Sequence, residues 1–558
     1  MIEKWLNELN PSQKEAAMTV DGPLLILAGA GSGKTKTITT RLAYLLSLGI
    51  DPANTLTLTF TNKAAEEMRN RALSMIERPS YPPLLCTFHK FGLLFLRFYI
   101  TKLGRKNSFN VIDTDDKNRI VKTFCEELPH STVSHAISNF KNNLISPQGA
   151  AKDADSEIQK EIASVYGKYE NYITQNNLVD FDDLLLLPYT ILKEFPEVAE
   201  ESSKKYQYIM VDEYQDTNRL QLELLKKLCS THTNLCVVGD DDQSIYSFRG
   251  AVIENILFFA NMFEGAKEVK LEENYRCGRN ILEIANSVIA NNSQRHQKQL
   301  KPTRDSAEKV ELKNFEDEKE EARWIAKKIK ELLQNGHKPT DIAVLFRVNA
   351  VSRGIEEGFR SENLPYTFIG GTKFFERQEI RDAIAYLRLS VNKYDDFSLK
   401  RVINKPKRAI GKVTIEKLEA TAKGLNIPIF ELISSHFFEK TLQESIGKKA
   451  FLEIKKFVEI VEGLEEYKKQ STFTLLENFE DSIGLKKFFL SLPNEEERAQ
   501  NLDEFYASVK EFFKINPQMD IEEYLNDISI QSDVDEAKNW DGVSIMTVHS
   551  SKGLEFKT

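Results

Sequence analysis

Short apolar runs punctuate the first part of the chain: LLIL (24–27), TLTLTF (55–60), YIMV (208–211) and LCVV (235–238). They alternate with helical patterns, which predicts buried strands of a parallel α/β sheet. Between them, from about residue 103 to 187, long polar-amphipathic stretches with few strand signals predict a mostly helical insertion. A second set of strands is expected at VELKNF (310–315), IAVLF (342–346) and YTFI (366–369). From roughly residue 379 to 535 the pattern is again helical and highly charged, and a strand-like VSIMTV (543–548) returns only at the end. The chain thus reads as two α/β domains, each interrupted by helices.

Composition narrows the class. A chain of 558 residues exceeds what one hydrophobic core usually serves. Its 41% hydrophobic and 28% charged residues are ordinary for globular proteins and exclude wholesale disorder or a fibrous repeat. The net charge of -9 gives no global attraction to nucleic acid, so any such contact must come from local clusters. Five widely spaced cysteines without a CxxC pair suggest buried free thiols and no zinc site. The start, MIEKWLNELNPSQ, lacks an apolar signal core, and no apolar run is long enough for a membrane span. A cytoplasmic protein without membrane contact is expected.

The most informative segment is LLILAGAGSGKT, where a strand enters a glycine-rich turn and then a helix beginning near Lys34. That context makes it a P-loop. The glycines let backbone N–H groups approach phosphates and the helix N-terminus adds its positive end. Lys34 supplies a point charge and Thr35 a ligand for Mg²⁺. The whole turn, Ala28, Gly29, Ala30, Gly31, Ser32, Gly33, Lys34, Thr35 and Lys36, is expected around ATP, with Ala28 replacing the usual first glycine. YIMVDEYQDT (208–217) supplies the partner, an apolar strand delivering Asp212 and Glu213 to its carboxyl end, where open α/β sheets bind ligands. Asp212 suits Mg²⁺, and Glu213 suits orienting and deprotonating the attacking water. An isolated acidic pair is usually a solvated turn; behind a hydrophobic strand in a P-loop protein it is a catalytic candidate.

With these in place, further segments fall in the order seen in the UvrD/Rep/PcrA helicases of superfamily 1. LNPSQKEAA (9–17) resembles the Q motif, TLTFTNKAAEEMRNR (57–71) motif Ia and VVGDDDQSIYSFRGA (237–251) motif III. LEENYRCGRN (271–280) resembles motif IV and VSIMTVHSSKGLEF (543–556) motif V. The resemblance implies two RecA-like P-loop domains with parallel sheets flanked by helices. The first covers 1–102 and 188–278 with its helical insertion at 103–187, and the second covers 279–378 and 539–558 with an insertion at 379–538. It implies that Gln13 reads the adenine, Tyr275 stacks on it, Gln243 senses the γ-phosphate, and Arg276, reinforced by Arg249, stabilises its charge, while Glu555 faces the nucleotide.

Single-stranded DNA needs aromatic faces for bases and donors for phosphates. By resemblance the track comprises Phe60, Thr61 and Asn62, His89, Phe181, and Tyr246 and Phe248, continued by Arg347, Asn349, Thr547, His549 and Lys552. Relatives usually carry tryptophan where Phe248 stands; the alternative for each aromatic is core packing. KPKRAIGK (405–412) resembles the family's duplex-contacting element, with Ala409 in place of an expected glycine, although a charge run is more often a solvated face.

The implied machine is an ATP- and Mg²⁺-dependent helicase moving 3′ to 5′ on single-stranded DNA, opening single-strand/duplex junctions. Repair or replication restart is the expected setting, in a bacterial-type, nucleoid-associated protein that is monomeric or weakly self-associating. The sequence ends at GLEFKT, directly after the motif V segment. A fragment is therefore expected, its second domain incomplete and lacking a motif VI arginine whose loss can cost about 10³–10⁵ in rate. A helicase-nuclease subunit of the RecB or AddA kind, an inactive ATP- and DNA-binding fragment, and a non-motor P-loop scaffold are the alternatives.

Overall fold

The structure, a computed structural model, describes residues 2–76, 81–305, 309–348, 351–369, 377–492, 495–529 and 542–558. The chain divides into two compact units, Met1–Ile369 with Ile530–Thr558, and Gly370–Ser529.

The first unit is built on a six-stranded parallel sheet. Its strands are β1 (Leu24–Ala28), β2 (Thr55–Thr59), β3 (Leu84–Thr87), β6 (Tyr208–Val211), β7 (Leu235–Gly239) and β8 (Lys267–Leu271), in the order β3-β2-β6-β7-β1-β8. Two short ladders flank it, β4 (Asn110–Val111) with β5 (Leu178–Val179), and β9 (Glu273–Asn274) with β10 (Lys301–Pro302). The period of two sorts the strand side chains between opposite faces. Leu25, Leu27, Leu56, Leu58, Val211 and Val237 enter one core, and Leu24, Ile26, Met210, Cys236 and Val238 the other. Each is essentially removed from water, a gain of about 1.5–3 kcal/mol per large aliphatic side chain. Helix Lys34–Ser47 lays Ile38, Leu42 and Leu45 against the second core.

Two strands had no clear sequence signal. In β8, KEVKL, only Val269 and Leu271 are buried, because it is an edge strand with charged residues turned to water. In β3, LLCT runs directly into the apolar helix Phe88–Tyr99, so the change of period is hidden inside one hydrophobic run. The helical insertion follows as helices Thr114–Lys122, His130–Asn142, Pro147–Lys152 and Glu157–Gln175.

A second parallel sheet holds β11 (Ala343–Phe346), β12 (Tyr366–Ile369) and β13 (Val543–Thr547), with β13 in the middle. The expected strand at VELKNF does not form: 310–315 joins no sheet among the described residues. Its alternating Val310 and Leu312 are 51% and 91% exposed, so the apolar side meets no core. Phe315 packs instead on Trp324, 5.6 Å between ring centroids.

The second unit is helical throughout its described residues, from Gln378–Val391 to Ile521–Ser529, around a core that includes Tyr386, Phe457, Leu475 and Phe505. Among the described residues no helix is long and apolar enough to cross a membrane. The five cysteines are free; Cys86 and Cys236 are buried, the other three only partly so.

Candidate functional site

All strands of the six-stranded sheet run parallel, so their carboxyl ends share one edge, and the loops leaving that edge carry the predicted chemistry. At β1 the chain turns through Gly33, whose φ of +85° is open to glycine at little cost, and enters the helix at Lys34. Ser32 Oγ closes the turn by donating to the Gly29 carbonyl at 2.7 Å. Thr35 lies in the first helical turn. Lys36 leaves the loop and donates to the Glu8 carbonyl at 3.1 Å, so it points to the N-terminal segment.

Lys34 Nζ reaches Glu213 at 3.2 Å, which joins the P-loop to the acidic pair at the end of β6. Glu213 stands at φ +52°, left-handed backbone that a non-glycine residue enters at a cost of about 1–3 kcal/mol. Its N–H donates to Asp212 Oδ1 at 3.0 Å, and Gln215 Nε2 donates to its carboxylate at 2.7 Å. Electrostatics separate the two acids. Burial, then the charge of Glu213, pushes Asp212 up to about 7. Burial also works against Glu213 as an anion, but Lys34 outweighs it and holds Glu213 below the usual carboxylate range. Glu213 is therefore the member of the pair that stays ionised.

Gln215, fully buried, carries the network onward, because its Oε1 accepts from Asp240 N at 2.9 Å. Gln243 Nε2 in turn donates to Asp240 Oδ2 at 2.5 Å. The predicted γ-phosphate sensor is thus connected to the predicted base through Asp240 and Gln215, two residues that sequence reasoning passed over. The signal available was only their place in YQDT and GDDDQ, where they read as ordinary turn residues.

Gln13 is buried beneath the P-loop. Its N–H donates to Asn10 Oδ1 at 2.8 Å, its Oε1 accepts from Asn10 N at 3.1 Å, and its Nε2 donates to the Ser32 carbonyl at 2.9 Å. Asn10 also donates to the Tyr275 hydroxyl at 3.0 Å, which brings Gln13 and Tyr275 to one place. Tyr275 N donates to the Gly31 carbonyl at 2.9 Å, so the segment after β9 rests on the P-loop. Arg276 pairs with Glu555 at 2.8 Å, both largely exposed.

The aromatic candidates are brought together in pairs. Phe60 meets Phe88 at 6.2 Å and His89 meets Phe181 at 5.9 Å between centroids, both edge to face. Phe248 meets His549 at 5.1 Å, and the Tyr246 hydroxyl donates to the His549 carbonyl at 3.1 Å, across the two sheets of the first unit. Burial lowers His89 below its ordinary value, which keeps the ring neutral. Thr61 caps helix Asn62–Ser74 through Ala64 N, and Asn62 opens that helix. Thr547 ends β13 beside Phe346, and Arg347 follows Phe346 exposed at the same edge. Lys552, expected on DNA, pairs with Asp216, donates to the Gln243 carbonyl at 2.8 Å and lies 4.8 Å over the Tyr246 ring, so it touches both the glutamine turn and the aromatic edge. Asn349 and the side chain of Arg249 lie outside the described residues.

In the second unit two of the four basic side chains of the KPKRAIGK segment, Lys405 and Arg408, are tied to neighbouring protein groups. Lys405 and Arg401 pair with the buried Asp382, and Arg408 donates to the Lys405 carbonyl at 2.9 Å, leaving Lys407 and Lys412 outward. Ala409 sits at φ +56°, the backbone for which glycine was expected.

A P-loop lysine paired with a strand-end acid, joined by hydrogen bonds to Gln243 and followed by paired aromatics, defines a P-loop nucleotide-binding protein. The model of the UvrD/REP helicase N-terminal domain matches residues 9–264, and that of the UvrD-like helicase C-terminal domain matches 269–558. The chain belongs to the UvrD/REP helicase family and is a helicase. It is 39% identical over 568 aligned positions to the ATP-dependent DNA helicase PcrA of Staphylococcus aureus strain Mu50, covering 99% of this chain and 77% of that protein. The Staphylococcus epidermidis PcrA is 38% identical with the same coverage.

Proposed function

We propose that this helicase hydrolyses ATP to move 3′ to 5′ along single-stranded DNA and open duplex ahead of it, in repair or replication restart. The observation that carries the reading is the continuous hydrogen-bonded path Lys34–Glu213–Gln215–Asp240–Gln243, met by Lys552 from beyond β13. Such a path can report phosphate occupancy to the aromatic edge, because Lys552 touches both the Gln243 backbone and the Tyr246 ring.

Lys34 neutralises phosphate charge, and the P-loop N–H groups cradle it. Glu213 accepts the proton of the attacking water; Gln243 turns from Asp240 to the γ-phosphate, and Arg276 leaves Glu555 for the same charge. Gln13 keeps one amide proton and one lone pair free of the protein contacts above, enough to read an adenine edge, while Tyr275 offers its face. The Thr35 hydroxyl and Asp212 carboxylate are hard oxygen donors that suit Mg²⁺, which binds through few protein oxygens and keeps positions for phosphate and water. When bound, Mg²⁺ supplies charge neutralisation on the phosphate oxygens. Bases are expected to enter between the ring pairs, replacing ring-on-ring contacts with base stacking.

The test is phosphate release by this chain with and without single-stranded DNA, and strand displacement on 3′- and 5′-tailed duplexes. DNA-stimulated turnover with preference for the 3′ tail supports the proposal. ATP and DNA binding without turnover would show an inactive binding protein.

A further inference from the structure

Residues 295–304 match none of the motifs above, yet they run through the nucleotide site as a strap. At one end Leu300 packs on Gly29 of the P-loop, so closely that a Cβ there would collide with Leu300 Cδ2 and push the leucine aside. Beyond it Lys301 N donates to the Glu272 carbonyl at 2.8 Å and Thr303 Oγ1 to the Asn274 carbonyl at 2.7 Å, fixing the strap to the segment that carries Tyr275 and Arg276. At the other end it meets all three aspartates of the GDDDQ turn. Arg295 forms a two-point pair with Asp242 at 2.7 and 2.8 Å, and His296 N donates to Asp241 Oδ2 at 2.8 Å. Lys298, almost wholly buried, contacts Asp240 and Asp242 at 2.9 Å each and Asp241 as well.

Three carboxylates around one buried ammonium is an arrangement in which each charge needs the others. Removing a single buried partner leaves an uncompensated charge, the expensive case for ion pairs. Asp240 has a second duty: its other carboxylate oxygen holds the Gln243 amide, and its N–H binds Gln215. The orientation of Asp240, and with it the resting position of Gln243, is thus held by the strap through one carboxylate oxygen while the other holds the glutamine.

We propose that Lys298 is a positioning residue for the γ-phosphate sensor: by clamping Asp240 it sets the pose from which Gln243 engages the nucleotide, and the strap ties that pose to the P-loop through Leu300. The inference rests on the reading of Gln243 as sensor. A clamp of this kind acts on ATP and not on ADP, because only ATP presents the group that Gln243 recognises.

The experiment compares the full chain with Gln243→Ala, with Lys298→Met, and with the charge-balanced Lys298→Met/Asp241→Asn, which protects against misfolding from an unpaired aspartate. The readouts are the affinity ratio of a non-hydrolysable ATP analogue to ADP, the kcat and KM of DNA-stimulated ATP turnover, and the melting temperature. The balanced variant is expected to lose about 10-fold or more of the analogue-over-ADP preference and of kcat, with ADP affinity kept. Adding Gln243→Ala to it should cost no more, since both act on one group. A balanced variant that melts lower but keeps its analogue preference makes Lys298 purely structural and overturns the proposal alone. Gln243→Ala that keeps the preference removes the sensor reading, and this proposal with it.

Discussion

Glu213 and Ala409 stand in the same left-handed backbone region, at φ +52° and +56°, in different units of the chain and in very different company. Glu213 is held by Lys34, by Gln215 and by its own N–H on Asp212. Ala409 is exposed, and its turn is held from outside, by Asn404 Oδ1 accepting from Arg408 N at 2.8 Å and Ile410 N at 3.2 Å. In the first case an unfavourable backbone aims a carboxylate at a lysine. In the second it aims a methyl group at water. The difference teaches that strain marks a functional residue only where a network converges on the strained side chain; the same dihedral without that convergence is a cost with no visible chemical return.

The sharpest way to break this comparison is at Glu213. Glu213→Gln keeps the shape and one acceptor but removes the proposed base, so ATP turnover should fall by about 10²–10⁴ while nucleotide still binds. Single-turnover phosphate release measures it, and turnover within a few-fold of the parent would move the base elsewhere. The aromatic edge lies between the extremes, its rings packing on one another with the Lys552 ammonium over Tyr246. Phe181→Ala or Phe248→Ala should each weaken single-stranded DNA by about 1–3 kcal/mol, read as a rise in the DNA concentration for half-maximal ATPase. An unchanged DNA dependence in both would return these residues to simple packing.

The network also has a pH signature. Because burial raises Asp212 to about 7, the folded protein without Mg²⁺ holds a proton there that the unfolded chain would release near its ordinary value of 3.8. That contribution to stability is complete below the ordinary value and is lost as pH climbs through about 7. If Asp212 holds Mg²⁺ as proposed, the cation must displace that proton, and half-saturating Mg²⁺ should rise up to about tenfold per unit of pH below about 7 and level off above it. Asp212→Asn should abolish the difference between acidic and neutral pH; a Mg²⁺ requirement that is flat in the parent from about pH 6 to 8 contradicts the protonated resting form.

Legibility from sequence followed the same divide between local and convergent features. β1, β2, β6 and β7 were readable because burial on both faces leaves an apolar run, and the P-loop because strand, turn and helix are adjacent in the chain. VELKNF misled because alternation records only that one side is apolar, not that a core exists to receive it. Gln215, Asp240 and Lys298 were unreadable for a third reason: their importance lies in partners that are distant in sequence, as with Lys298 and Asp241, which are 57 positions apart. Lys552 was placed at the site by resemblance, but its engagement with Asp216 depends on how β13 enters the middle of its sheet, which no local pattern records.

The smallest expected effect tests the other half of the comparison. Ala409→Gly removes the methyl group that makes left-handed backbone costly, about 1–2 kcal/mol, and gives back part of it as entropy of the unfolded chain, about 0.4–1 kcal/mol. The net expectation is a stabilisation of about 1 kcal/mol or less, seen as a higher denaturant midpoint at unchanged slope. Glu213→Gly makes the same exchange of backbone, but there the loss of turnover should dwarf any gain in stability. If Ala409→Gly destabilises instead, the turn is held by packing that the methyl group itself supplies, and Ala409 joins Glu213 as a residue whose side chain justifies its backbone.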